Sequence, residues 1–401
     1  MSRLLTPWEV RTRAAGRCIS VGSHVLRETL APSKAIDAGD VPRSHLEITP
    51  GWLTAVLCRG IPGARVLELQ ATGGSVGTTT RQGLQLVLND EARQAGVPSR
   101  LFVKCSKRFN QRLMLGLSGM IHGEIGFYPQ IRAQLDIEAP QGYHACIDDD
   151  SWRSMVLLED VVATKGARFI STETHITREQ MQGLLANMAR WHGHYWSSPQ
   201  LNGDLRWLRT PADFLNAIAP LGFRFLARLG IRRAHGVIPQ ALQTRTDELW
   251  MALAKSFELN RRSPQTLLHG DPHVGQTYIT STGKMGYADW QLVMRGGWAF
   301  DVAYALVSAL TIENRRQWER DLLRYYLDQL HAAGGSQIPF DDAWTSYRQN
   351  TIYPYFCWLM TLTGTFLPLM PKMQTKKVSL DIIERASNAI CDLDSLEVVG
   401  A

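Results

Sequence analysis

Asp289 follows Asp271 by 18 residues, and the interval between them reads as a β-hairpin. Asp271 stands in His269-Gly270-Asp271-Pro272-His273-Val274-Gly275-Gln276 and Asp289 in Ala288-Asp289-Trp290-Gln291. Between them, the pattern predicts a strand over Thr277–Thr280, a turn at Ser281-Thr282-Gly283-Lys284, where glycine is free to take positive φ, and a returning strand over Met285–Ala288. A hairpin of that length brings Asp289 back beside the start of the loop that exposes Asp271. Two carboxylates and the Gln276 amide then converge. Such oxygen donors suit a hard divalent cation that keeps part of its water. His-Gly-Asp alone is also an ordinary turn; the downstream amide and the Asp-Trp-Gln strand end make it a candidate site.

The rest of the chain narrows the chemistry. Its 401 residues are 45% hydrophobic and 20% charged, which is the composition of a soluble globular protein with a large core. A net charge of +6 favours acidic ligands such as nucleotides, but it is too small and too evenly spread to point to nucleic acid. Six cysteines without a Cys-x-x-Cys pair suggest neither zinc nor a disulfide framework, and fit reduced thiols in a cytoplasmic protein. Around Arg3, Glu9, Arg11 and Arg13 there is no apolar core of signal-peptide length. The uncharged run Thr351–Pro371 approaches the length of a membrane span, yet Pro354, Pro368, Pro371 and several threonines favour a buried helix, with no integral membrane segment expected.

Three regions are expected. Residues 1–60 read as a helical extension, with helix starts at Thr6-Pro7-Trp8-Glu9 and Thr49-Pro50-Gly51-Trp52 and a loop through Pro32 and Pro42 between them. In residues 61–160, a strand over Arg65–Ala71, a flexible loop Gly73-Gly74-Ser75-Val76-Gly77 and a strand over Thr78–Leu88 precede the strand Leu101–Lys104. A helix carrying Glu124 and a buried strand from Ser154 to Val161 follow. No Walker lysine follows the glycines, which argues against a P-loop. Residues 161–401 read as largely helical. Thr177–Trp196 carries Met181, Leu184, Leu185, Met188, Trp191 and Tyr195 on one stripe, and His192 and His194, two apart, point different ways and are expected to be structural.

The His-Gly-Asp-x-His motif followed by Asp-Trp-Gln resembles the aminoglycoside phosphotransferase and choline kinase superfamily, and Asp-Trp-Gln resembles its ecdysteroid-kinase-like branch; the resemblance covers roughly residues 60–390. It implies an α+β, bilobal protein-kinase-like fold, with a small antiparallel-sheet N-lobe and a mostly helical C-lobe. It also implies ATP- and Mg2+-dependent transfer of a phosphate to a small-molecule hydroxyl acceptor. In that reading Asp271 is the catalytic carboxylate that receives the hydroxyl proton, as general base or late proton acceptor, His269 supports its loop, and Gln276 and Asp289 bind the metal. Lys104, held by Glu124, fixes the phosphates together with the glycine loop at Gly74 and Ser75, and backbone groups over Glu159–Val161 hold adenine. Asp301 stands before the apolar helix that follows and is expected to cap it, either alone or while also bracing the catalytic loop as the resemblance implies. The family usually has Asn where this chain has Gln276, so a non-catalytic, kinase-like binding protein is the alternative. The positive net charge favours a hydrophobic alcohol, sterol-like compound or hydroxyacyl thioester as acceptor over an aminoglycoside.

Overall fold

Five strands, β1 (Val66–Val76), β2 (Thr80–Leu88), β3 (Arg100–Cys105), β4 (Gly142–Asp148) and β5 (Arg153–Glu159), pair antiparallel in the order β1-β2-β3-β5-β4. They belong to a computed structural model that describes residues 7–31, 34–364 and 373–400. It divides into two compact units. The first ends at Gln134 and resumes over Pro140–Ala167; the second takes Leu135–Ala139 and the described residues from Arg168 onward.

In the first unit the helices are α1 (Pro7–Leu30), α2 (Pro50–Leu57), α3 (Asp90–Gln94), α4 (Phe109–Ser118), α5 (Ile121–Gln130) and α6 (Val161–Lys165). Thr49 caps α2 by accepting the Trp52 amide at 3.1 Å, as its sequence signal predicts, whereas Thr6 lies outside the described residues. Trp52 and Leu53 of α2, with Val41 and Ile48 before it, enter one core with Leu84, Leu86, Leu101, Val103 and Leu157 of the sheet. Burying a side chain such as Leu53 contributes roughly 1.5–3 kcal/mol. Leu101, Val103 and Cys105 all belong to this core, so the two-residue period of a strand turns Lys104 to the opposite face.

The expected flexible loop at Gly73–Gly77 is instead the continuation of β1. The strand runs through the glycines with a bulge between Ala71 and Gly74, and the chain reverses only after Val76. A Cβ on Gly74 would lie 2.8 Å from Gln82 Oε1 and 2.9 Å from the Arg81 carbonyl, so close strand pairing demands glycine there. Buried Gln111 of α4 pins the reversal, donating to the Gly77 carbonyl at 3.0 Å and accepting from the Thr80 hydroxyl at 3.2 Å.

The second unit is mostly helical: α7 (Arg178–His194), α8 (Pro211–Ile218), α9 (Phe223–Ala234), α10 (Gln240–Gln243), α11 (Thr246–Arg262), α12 (Ala299–Ala309), α13 (Ile312–Ala332), α14 (Phe340–Gln349), α15 (Ile352–Gly364), α16 (Lys376–Asp392) and α17 (Ser395–Val399). Two small antiparallel sheets interrupt it, one joining β6 (Arg168–Phe169), β8 (Thr277–Ile279) and β9 (Met285–Tyr287), the other β7 (Gln265–Leu268) and β10 (Met294–Gly297). Thr177 and Gln180 form the capping box that starts α7, which is how their spacing reads in the sequence. The uncharged run forms α15, with Tyr353, Phe356, Trp358 and Leu359 buried; its remainder, 365–371, lies outside the described residues. Among the described residues no single helix is long and apolar enough to cross a membrane.

Candidate active site

Strand β7 delivers the chain to a loop whose backbone is clamped by a single carboxylate. Asp301 accepts the His269 amide at 2.6 Å through Oδ2 and the Gly270 amide at 3.0 Å through Oδ1. It sits in the first turn of α12 rather than ahead of it and caps nothing there, so bracing is its observed contact. Buried His192 steadies the same carboxylate, with Nε2 3.3 Å from Asp301 Oδ2 and Nδ1 2.7 Å from the Tyr326 hydroxyl.

His269 Nδ1 accepts the Asp271 amide at 3.3 Å, which leaves Nε2 to carry the proton and donate to the Ala288 carbonyl at 3.0 Å. This ties the loop to the strand that leads to Asp289. Gly270 has φ +81, and a Cβ there would lie 2.0 Å from the Leu292 carbonyl oxygen. Both facts require glycine.

Asp271 is buried, and desolvation pushes its carboxyl up to about 8. The Tyr304 and Gln276 side chains, bonded to it, oppose that rise, while the negative charges of Asp289 and Asp301 add to it. His273 Nδ1 accepts the Gly275 amide at 3.0 Å, so Nε2 carries the proton, and it lies 3.8 Å from Asp271 Oδ2. The Trp358 indole donates to the Tyr304 oxygen at 2.9 Å, and the Cys357 sulfur lies 3.6 Å from it. Tyr304 and Trp358 lie outside the motifs read from the sequence. A signal was available: Tyr304 falls three residues after Asp301 on one helix, so it shares the loop-facing side.

The hairpin after the loop returns as its spacing predicts. Thr280 receives the Gly283 amide at 3.0 Å, Gly283 takes φ +81, and the Ala288 amide donates to Gln276 O at 2.8 Å. Gln276 Nε2 reaches Asp289 Oδ2 at 3.2 Å. Asp289 has φ +65, a left-handed conformation that few residues other than glycine adopt and that asparagine and aspartate tolerate best. Trp290, fully buried, packs its ring 4.6 Å from His269 and 5.1 Å from Trp191, which anchors this strained corner.

The Asp289 carboxylate and the Gln276 amide oxygen are donors of the kind magnesium takes. Gln276 turns its Nε2 to Asp289 Oδ2 at 3.2 Å, so the amide would have to flip to offer its oxygen beside that carboxylate; among the described residues no cluster of three or more His, Cys, Asp or Glu forms a cage made of protein alone. Magnesium held with substrate phosphates uses one or two protein oxygens in this way.

In the first unit Lys104 Nζ lies 2.7 Å from Glu124 Oε2, both buried. Gly74 and Ser75 lie on the exposed stretch of β1. Over Glu159–Val161 the Glu159 amide donates to Gln141 O, the Asp160 carbonyl accepts from Thr164, and the Val161 carbonyl accepts from Ala167. These three groups are engaged within the unit, and they restrict which backbone atoms of the segment face a ligand.

An antiparallel N-terminal sheet with a buried Lys–Glu pair, and a helical C-terminal region with a clamped Asp loop and an Asp-ended hairpin, define a protein-kinase-like fold. The chain belongs to the phosphotransferase enzyme family APH, whose model matches residues 107–336. Solved structures similar to it include ethanolamine kinase from Plasmodium vivax (12% identity, 81% of each chain, TM-score 0.44). Others are choline kinase LicA from Streptococcus pneumoniae (10% identity, 82% of this chain and 94% of that one, TM-score 0.45) and macrolide 2'-phosphotransferase MphH from Brachybacterium faecium (12%, 82% and 98%, 0.43). No curated protein matches the sequence.

Proposed function

We propose that this phosphotransferase moves the γ-phosphate of ATP to a hydroxyl of an apolar small molecule. The observation that carries the reading is the loop held at two amides by Asp301, which presents Asp271 while the hairpin sets Gln276 against Asp289. Asp271 receives the acceptor's proton as the phosphate is transferred. Its ionised form does this, and the Tyr304 hydroxyl, polarised by the Trp358 indole, supports that form. Asp289 and Gln276 hold magnesium, and Lys104, steadied by Glu124, neutralises α- and β-phosphate charge. Magnesium, when bound, offsets phosphate charge and favours the ionised state of Asp271. His269 has both ring nitrogens engaged by the backbone and holds the loop.

What surrounds Asp271 supports an apolar acceptor. Tyr304, Tyr353, Trp358 and Cys357 are aromatic or apolar, and burial pushes the Cys357 thiol up to about 12, as a dry environment does. This supports a hydrophobic alcohol, sterol-like compound or hydroxyacyl thioester rather than a polycationic aminoglycoside. Asp-Trp-Gln supports placement in the ecdysteroid-kinase-like branch. The test is magnesium-dependent transfer from γ-labelled ATP to a pool of hydroxylated lipids, sterols, acyl thioesters and aminoglycosides, beside Asp271→Ala. Transfer to an apolar alcohol that the substitution abolishes is expected. Nucleotide binding without transfer to any pool member would favour a non-catalytic binder, and transfer confined to aminoglycosides would overturn the acceptor class.

A further inference from the structure

Helix α1 is docked on one side and bare on the other. On the docked side Val21 is fully buried, Arg112 of α4 bonds Glu28 at 2.8 and 3.0 Å, and the Arg17 guanidinium stacks over Trp152 at 4.5 Å. The helix is therefore fixed to its unit by specific contacts. On the bare side Trp8 is 72% exposed, Ile19 76%, Leu26 60% and Leu30 76%. At 100° per residue these four fall within about 40° of one another. Single exposed apolar residues are ordinary, but four large ones aligned on one face of one helix mark an interaction surface.

The charge around the stripe says what covers it. The helix carries Arg11, Arg13, Arg17 and Arg27 against Glu9 and Glu28, and Glu28 is taken up by Arg112. Arg27 is exposed on one flank of the stripe, which it shares with Glu9, and Arg11 is exposed on the other; Arg13 is exposed farther round the helix. An apolar face flanked by Arg11 on one side and Arg27 on the other complements the interface of a bilayer, where apolar groups enter the acyl boundary and guanidinium groups reach anionic headgroups.

We propose that the exposed face of α1 docks the protein on the surface of a membrane rich in anionic lipid. The full chain is tested by flotation with phosphatidylcholine vesicles and with vesicles that also contain phosphatidylglycerol. Three proteins are compared: the wild type, Ile19→Glu with Leu26→Glu, and Arg11→Glu with Arg27→Glu. All four positions are exposed, so unchanged melting temperatures are expected. Binding to the anionic vesicles is expected, weakened by salt, and each double substitution should reduce it about tenfold or more. Absence of binding to either vesicle, or equal binding by wild type and the Ile19/Leu26 variant, would overturn the proposal. A wild-type dimer in gel filtration that the same variant dissolves would overturn it in favour of a second copy as the occupant.

Discussion

Glu124 and Asp271 are both buried acids, one in each unit, and their electrostatic company is opposite. Glu124 has the Lys104 ammonium at 2.7 Å. Asp271 has the charges of Asp289 and Asp301 close enough to add to the rise that burial gives it, and only neutral hydrogen bonds oppose them. A buried pair of opposite charges is complete as it stands, whereas a group of like charges is stable only when a proton or a cation joins it. The first arrangement holds a structure; the second leaves a carboxylate ready to respond to what binds.

Asp271→Asn should break the contrast most sharply. Phosphate transfer is expected to fall about 10³-fold or more, while the ligand-free protein melts at a higher temperature at pH 8 because a disfavoured charge is gone. A lower melting temperature would refute the like-charge account. Lys104→Met tests the other side: removing one member of a buried pair costs about 3–5 kcal/mol, read from urea unfolding, and adding Glu124→Leu should recover most of it. Next in size is Asp301→Asn, which sets an NH₂ against one of the two loop amides and costs about 1–3 kcal/mol. Transfer and stability should fall together; a stable but inactive variant would point to chemistry at Asp301 rather than bracing.

The pH dependence sharpens the comparison further. Asp271 is raised from 3.8 to about 8, so between those values the folded state binds more protons than the unfolded one. Its contribution to stability is full below pH 3.8 and is lost as pH rises toward about 8. Melting curves across this window should decline more steeply for wild type than for Asp271→Asn, and magnesium with nucleotide should narrow the gap. A parallel decline would place the raised carboxyl elsewhere. Gln276→Asn should have the smallest effect, a few-fold change in the magnesium concentration that half-saturates transfer. Loss of more than about tenfold would show that the longer amide is specifically fitted to Asp289.

What the sequence made legible was local. The capped starts of α2 and α7 and the hairpin with Gly283 at its turn depend on neighbours a few residues apart, and each formed where its pattern lies. The contact of Gln276 with Asp289 follows from hairpin length alone. The glycine stretch in β1 was misread because its need for small residues comes from Gln82 and Arg81 across the strand pair, not from flexibility. Asp301 looked like a cap because it lies near a helix start; its partners are amides more than thirty residues earlier, a fact of tertiary packing. The bond from Tyr304 to Asp271 likewise depends on α12 turning its Asp301 side to the loop, a tertiary arrangement.

The contact of Gly270 with Leu292 has a consequence for how such a chain can change. Asp271 and Asp289 sit on segments that abut main chain against main chain, with no side chain at that point to be traded for a larger or smaller one. Their spacing is therefore set by a part of the molecule that substitution cannot tune, other than by destroying it. The rings around Tyr304 and Trp358 carry no such restriction. Those positions can thus drift over many generations while the spacing of the two acids stays where it is.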